Sequence, residues 1–357
     1  MGKELALFPK EWLIVKSRVT LRDVARLAKV STSTASRALT GDPRILPATK
    51  ARVADAVTEL HYLPNRIASS LRSKSTGIIG IAINNLDNYT LRTIFEQVGV
   101  QASQNSLQVL LVTTDGDPSR EAQFLDTARE LQLDGVIVAG SGENAERINM
   151  LVQKGFAVVI TNRSVPHALA TTIIPDYELS CRLAAEHLVG LGHKNIAYIG
   201  GLNEYQSGRE NFAGYSEALV SAGIKVSEEL VIRGKYDRNF GTVAATFIEG
   251  LYNAHKITAV IIANHESAHG LLLHLLKEGI SIPKNLSVIC VEDSPLIEFW
   301  NPAITAVDVQ PKFLAESAFN SLLTQRSNSL NGDSTGSEVS LIRVRPKLVN
   351  RGSTRNP

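Results

Sequence analysis

Cysteine is almost absent: Cys181 and Cys290 stand alone, with no CxxC spacing. This argues against a disulfide scaffold or a thiolate metal site and fits a reducing compartment. No apolar run reaches the roughly 20 residues of a membrane span. A secretory core is missing too, because Pro9, Glu11 and Trp12 interrupt the segment around Lys3 and Lys10. The reading is therefore a cytoplasmic protein. No HExxH, GxSxG, Walker or paired-carboxylate arrangement is read as standing out to mark an enzyme, and the eight histidines are read as scattered surface or pocket groups. Neither a metal nor a cofactor is expected.

What is present is an ordinary globular composition, 44% apolar and 20% charged over 357 residues. That length exceeds one typical hydrophobic core and predicts two or three packed units. The small net charge of +2 hides an asymmetry. Residues 1–76 carry 14 basic against six acidic side chains, net +8, while residues 77–357 carry 23 against 29, net −6. Concentrated positive charge attracts a phosphate backbone and releases its counterions, so the head is the candidate nucleic-acid surface.

Three short helices are predicted between residues 19 and 65. Thr20 and Asp23 have capping-box spacing, and Leu21, Val24, Ala25 and Ala28 follow at helical intervals. Ser31 caps a second helix, Thr32–Leu39, with short outward residues that let it press into a groove. A third helix is expected over 48–60, with Val53, Ala56, Val57 and Leu60 inward. This is a helix-turn-helix with a support helix, whose second helix fits the major groove. Thr32, Ser33, Ser36 and Arg37 are the candidate base or phosphate contacts. Thr20, Leu21 and Ser31 are assigned to the same surface, at the helix starts that fix the backbone.

The runs VTLRDVARLAKVSTSTASRAL and TKARVADAVTELHYLPNRIASSL closely resemble the DNA-binding domain and hinge of the lactose/galactose repressor family of bacterial transcription regulators. The resemblance implies that Asn65 caps a hinge helix over 66–72, which also carries Ala68. Leu71 is then the apolar wedge that enters the minor groove at the centre of a palindromic operator. Two departures stand out. Lys29 occupies the turn position usually held by glycine, where a left-handed backbone carries a cost. Residues 1–18 form a leader longer than the family normally has, with a start expected near Val15.

From residue 77 onward, short Val/Ile/Leu runs alternate with amphipathic stretches, the pattern of parallel sheets covered on both faces. Strands are predicted at 77–83, 107–113, 135–139, 157–161, 195–200, 230–234, 259–263, 286–291 and 339–344. Two lobes follow from that count, with crossovers near Asn162, Ser294 and Asp308. A flexible loop is expected over 326–338. The resemblance extends through DYELSCRLAAEHLVGLGHKNIAYIGG, ITAVIIAN, GISIPKNLSVI and RPKLVNRGST. The expected fold is thus an all-α helix-turn-helix head plus an α/β body of two periplasmic-binding-protein-like lobes. The domains are 1–18, 19–64, 65–76 and 77–357. The implied function is a transcription repressor bound to a double-stranded DNA operator as a homodimer, with a tetramer left open, controlled by a small-molecule effector and with no membrane partner.

Strand-end loops supply the effector candidates: Asn88, Tyr89, Asn162, Arg163, Asp176, Arg209, Asn211, Asn264, His265 and Glu292. Three depart from the family pattern: His265 stands for a sugar-binding Asp, Asn211 for an Arg, and Glu292 for a late Asp. An anionic compound held by His265, Arg163 and Arg209 is one expectation; Arg209 replacing the missing Arg, or no effector at all, are others. Two readings compete. The run from Gly140 to Ala145 matches a GxGxxA dinucleotide fingerprint, but at the third strand instead of the first. A transporter's solute-binding protein would need a secretory signal and has no use for a basic head.

Overall fold

A computed structural model describes residues 19–62, 75–331 and 340–357, and the chain divides into two compact units, Met1–Thr76 and Gly77–Pro357. The leader, the hinge assignments Asn65, Ala68 and Leu71, residues 332–338 of the expected tail loop and residue 339 of the expected last strand lie outside the described residues.

The head contains α1 (Leu21–Leu27), α2 (Thr32–Leu39) and α3 (Pro47–Glu59). Their starts follow from local chemistry. The Asp23 carboxylate accepts the Thr20 backbone N–H at 3.0 Å and its hydroxyl at 2.7 Å. Ser31 Oγ accepts the Thr34 N–H at 3.0 Å, and Pro47 occupies the first turn of α3, where a missing N–H costs nothing. Val24, Ala25, Ala28, Ala35, Val53, Ala56 and Tyr62 form the core. Its small side chains bring the helices close.

The turn after α1 is a Schellman motif: Val30 N–H donates to Ala25 O at 2.9 Å and Lys29 N–H to Arg26 O at 3.2 Å. It requires a left-handed residue, and Lys29 adopts φ 54°. The expected departure from glycine is therefore a real strain.

The second unit holds two six-stranded sheets. The first has the order β11-β5-β4-β3-β1-β2 and is parallel throughout. Its strands are β1 (Ile78–Ile83), β2 (Gln108–Thr113), β3 (Val136–Ala139), β4 (Val158–Thr161), β5 (Thr171–Pro175) and β11 (Leu341–Val344). The second has the order β12-β10-β9-β8-β6-β7, parallel except for the β10–β12 pair. It comprises β6 (Ile196–Gly201), β7 (Val231–Gly234), β8 (Ala259–Ile262), β9 (Ser287–Val291), β10 (Thr305–Asp308) and β12 (Lys347–Val349).

Both sheets are apolar on two faces, so each needs helices on both sides. In the first lobe these are α4 (Tyr89–Gln104), α5 (Pro118–Glu130), α6 (Ala145–Gln153) and α12 (Pro311–Asn331). In the second they are α7 (Tyr177–Gly190), α8 (Gln206–Ser221), α9 (Arg238–Asn253), α10 (His265–Lys277) and the short α11 (Pro295–Glu298). Ile81, Ile94 and Phe319 anchor one core, and Val260, Leu271 and Val288 another.

The crossovers differ from expectation. The chain changes lobe after β5, between β10 and α12, and between β11 and β12. Only the position near Asp308 agrees. The other two were displaced because β5, β10 and β12 are short runs that do not stand out from their flanks. The loop expected from Arg326 is helical to Asn331. Arg326 pairs with Asp134 at 2.9 Å, and the Ser327 hydroxyl donates to Leu323 O at 2.9 Å, so polar composition there marks an anchored helical turn.

Lys29→Gly is expected to stabilise the head by about 0.5–1 kcal/mol, the left-handed cost less the entropy of glycine. A thermal melt of the head transition should show a raised midpoint; an unchanged or lowered midpoint contradicts the strain.

Candidate functional site

On the head, α2 presents Thr32, Ser33 and Arg37 exposed and Ser36 half-buried. The Ser31 cap fixes the start of this helix, so these side chains hold a common face. Thr20 is exposed but its hydroxyl is committed to Asp23, and Leu21 packs partly against the head core. Beside this face Arg44 holds the Asp42 carboxylate at 2.8 and 3.0 Å. That bond keeps the Asp42 carboxyl well below its usual range.

In the second unit, each lobe has a central β2-β1-β3 or β7-β6-β8 order, where loops after neighbouring strands diverge. Ligands of such sheets lie at the carboxyl ends, at this switch point. A cleft of about 100 Å³ is found there. The first lobe lines it with Asn84, Asn85, Asn88, Asn162 and Arg163; the second with Ser207, Asn211, Tyr236, Asn264, Glu266 and Glu292. Asn162 and Glu292 directly follow β4 and β9 and adopt φ 63° and 72°. Left-handed residues bearing a Cβ cost about 1–2 kcal/mol and concentrate at functional sites.

The two lobes are tied across this cleft. His265 is buried; its Nε2 accepts the Tyr89 backbone N–H at 3.2 Å, from the first turn of α4 in the other lobe. The accepting Nε2 leaves the proton on Nδ1, which donates to Glu292 Oε2 at 2.8 Å. Asn264 Nδ2 reaches the same oxygen at 3.2 Å. Two of the three family departures, His265 and Glu292, are thus one unit. An Asp at 265 would set a second carboxylate against Glu292 and offer the Tyr89 N–H a different partner. Further ties are Arg343 to Glu210, bidentate at 2.8 Å, and the Arg163 guanidinium 4.8 Å from the Tyr205 ring centre. The Tyr177 hydroxyl also donates to Asn162 O.

Of the predicted effector residues, Asn88, Arg163, Asn211, Asn264 and Glu292 line the cleft. Tyr89 and His265 contribute through the tie. Asp176 instead caps α7, accepting the Leu179 N–H at 3.0 Å. Arg209 is exposed and turned to the carbonyls of Asn203 and Glu204 at 2.8 and 3.0 Å, so it does not replace the missing Arg. The expected cationic trio is therefore not assembled, since His265 is neutral and only Arg163 remains. Asn84, Asn85, Tyr177, Ser207, Tyr236 and Glu266 were not expected; the repeated Asn after β1 was the available signal.

The Gly140 turn is not a phosphate cradle. The buried Glu121 carboxylate accepts Ser141 N–H at 2.7 Å, Ser141 Oγ at 2.9 Å and Asn144 Nδ2 at 3.0 Å, placing a negative charge where a pyrophosphate would sit. The expectation that no HExxH stands out is corrected: His265-Glu266-Ser267-Ala268-His269 has that spacing at the start of a helix. It does not make a metal centre. Both His265 nitrogens are engaged, and no three His, Cys, Asp or Glu converge on a metal position among the described residues.

Residues 20–65 match the model of the "Bacterial regulatory proteins, lacI family", and residues 185–354 that of a periplasmic binding protein-like domain. The chain belongs to the lacI family of bacterial regulatory proteins. Catabolite control protein A of Priestia megaterium is 28% identical over 94% of this chain and 99% of its own length. The HTH-type transcriptional repressor PurR of Vibrio campbellii is 27% identical over 94% and 98%. Among solved structures, the lac repressor dimer bound to operator and the anti-inducer ONPF superposes with TM-score 0.80, covering 95% of this chain and 100% of that one at 23% identity. As a lacI-family protein the chain is a DNA-binding transcription regulator, and its relatives are regulators rather than enzymes.

Two outcomes follow from the cleft. A double-mutant cycle on His265→Gln and Glu292→Gln, read by urea unfolding, should give a coupling of about 1–3 kcal/mol, against near zero for independent residues. Burial depresses His269 to about 4. The unfolded chain therefore binds that proton first, so stability is full above about 6.5 and falls as pH drops toward 4. His269→Gln should flatten that slope; an unchanged slope assigns it to His187 and His193, which burial also depresses.

Proposed function

We propose that the chain is a sequence-specific repressor that binds a palindromic operator as a homodimer, under the control of a small-molecule effector, a sugar or related metabolite, held in the cleft. The observation that carries this reading is α2. It is a helix with a fixed start, exposing Thr32, Ser33 and Arg37 on a segment of net charge +8. Phosphate attraction supplies affinity, and short side chains on a groove-sized helix supply base reading.

The homodimer is supported by α10 and α11, which pack on each other and expose Leu273, Leu276, Leu296 and Phe299. Phe299, directly after α11, is 82% exposed, and large apolar side chains left exposed on two packed helices favour burial against a second copy. The lac repressor structure is a dimer with operator and anti-inducer bound, which is the arrangement proposed for this chain. Residues 19–64 are the DNA-binding domain, 65–76 the hinge and 77–357 the effector domain. Asn65, Ala68 and Leu71 supply the hinge cap and wedge, and the protein acts in the cytoplasm, where its operator lies. No helix among the described residues is long and apolar enough to cross a membrane.

Selection of bound duplexes from a random pool should return an inverted repeat with the intact chain and nothing with a chain lacking residues 1–76. Substituting Thr32, Ser33 or Arg37 should cost about 1–3 kcal/mol at the base contacted. Leu71→Ala should weaken specific binding more than non-specific binding. Equal losses remove the wedge, and recovery of no preferred sequence overturns the function.

A further inference from the structure

The cleft has an uneven supply of donors and acceptors. Its charged lining residues are two carboxylates, Glu266 and Glu292, against one guanidinium, Arg163. The guanidinium is already committed, donating to Ser141 O at 3.1 Å and lying over the Tyr205 ring. The Tyr177 hydroxyl is spent on Asn162 O. Facing them are three buried amide oxygens with no hydrogen-bond partner: Asn84 Oδ1, Asn162 Oδ1 and Asn211 Oδ1. The Asn211 amide is oriented by its own donation to the Tyr236 hydroxyl at 3.2 Å, which leaves the oxygen as the unmatched end. The Asn211 side chain is 2% exposed, so water does not satisfy it from bulk.

Glu266 is the second unmatched group. Burial partly desolvates it, and its neighbours Glu292 and Asp237 add negative charge, while the hydrogen bond from Asn88 offsets only part of this; its carboxyl lies above the usual range. Glu292 is in a different position, because His265 Nδ1 and Asn264 Nδ2 already donate to it. A half-buried carboxylate without a full counter-charge, next to three acceptors without donors, calls for a ligand that is cationic at one end and donor-rich along its edge.

We propose that the effector is a small polyhydroxylated amine. Its ammonium group sits against Glu266, and its hydroxyl groups donate to the amide oxygens of Asn84, Asn162 and Asn211. The inference rests on the cleft being the effector site. The same arrangement disfavours phosphorylated and carboxylated compounds, whose charge would meet Glu266 and Glu292. It gives a neutral sugar no return for desolvating Glu266. At about 100 Å³ the cleft is smaller than typical ligand cavities, so entry requires the lobes to part and the Tyr89–His265 bond to open.

The test uses the intact chain and three matched panels: amino sugars and amino alcohols, the corresponding neutral sugars and polyols, and the corresponding sugar phosphates. Each compound is supplied at millimolar concentration and read by thermal midpoint. The amine panel should contain the stabilising compounds, with shifts of roughly 3 °C or more. In Glu266→Gln those compounds should need at least about tenfold higher concentration, while Glu266→Asp, which keeps the charge, should retain the preference. Stabilisation by neutral sugars or phosphates in place of amines overturns this proposal and leaves the effector reading standing. An amine shift that persists in Glu266→Gln also overturns it. If no panel shifts the midpoint, the effector reading fails and this inference fails with it.

Discussion

His265 has one ring proton and one lone pair, and the fold uses both between the lobes. Nε2 takes the Tyr89 N–H from the first lobe, and Nδ1 gives its proton to Glu292 in the second. An acid at this position would meet Glu292 with like charge, and an apolar residue would strand the Tyr89 N–H and leave the carboxylate with Asn264 alone. The width of the cleft therefore depends on a neutral imidazole. Three chain crossings join the lobes, and such connections resist shear and separation far less than a packed core. A few polar bonds across the gap can then set the populations of open and closed forms.

That arrangement explains how a small ligand can govern a distant event. A compound that binds one lobe spacing better than the other shifts the balance by its differential affinity and no more. Whatever surface differs between the two forms changes with it. The strained backbone at Asn162 and Glu292 belongs to the same design: both follow directly on a strand, so their side chains are aimed by rigid sheets instead of by mobile loops.

Much of this was legible in the chain. Helical spacing and caps placed the head helices within a residue or two, since Asp23, Ser31 and Pro47 act locally. Long Val/Ile runs placed nine strands for the same reason. The short β5, β10 and β12 escaped because their pairing partners lie far along the chain, and two crossovers were misplaced with them. Within the cleft, Asn88, Arg163, Asn211, Asn264 and Glu292 were found from strand ends. Arg209 and Asp176 were misread, because sequence cannot show that one turns to nearby carbonyls while the other caps its own helix. The pairing of His265 with Glu292 required three-dimensional proximity between residues that each looked like an isolated departure.

Under the proposed effector control, specific DNA affinity depends on the lobe spacing that the bonds around His265 help to set. This dependence is tested most directly by measuring the dissociation constant of the selected duplex for the intact chain and for His265→Phe at the same salt concentration. A change of about 5-fold or more in specific affinity is expected, the usual scale of coupling between sites, with non-specific affinity unaltered. A specific affinity that stays within about twofold of the parent, in a variant that folds, contradicts it.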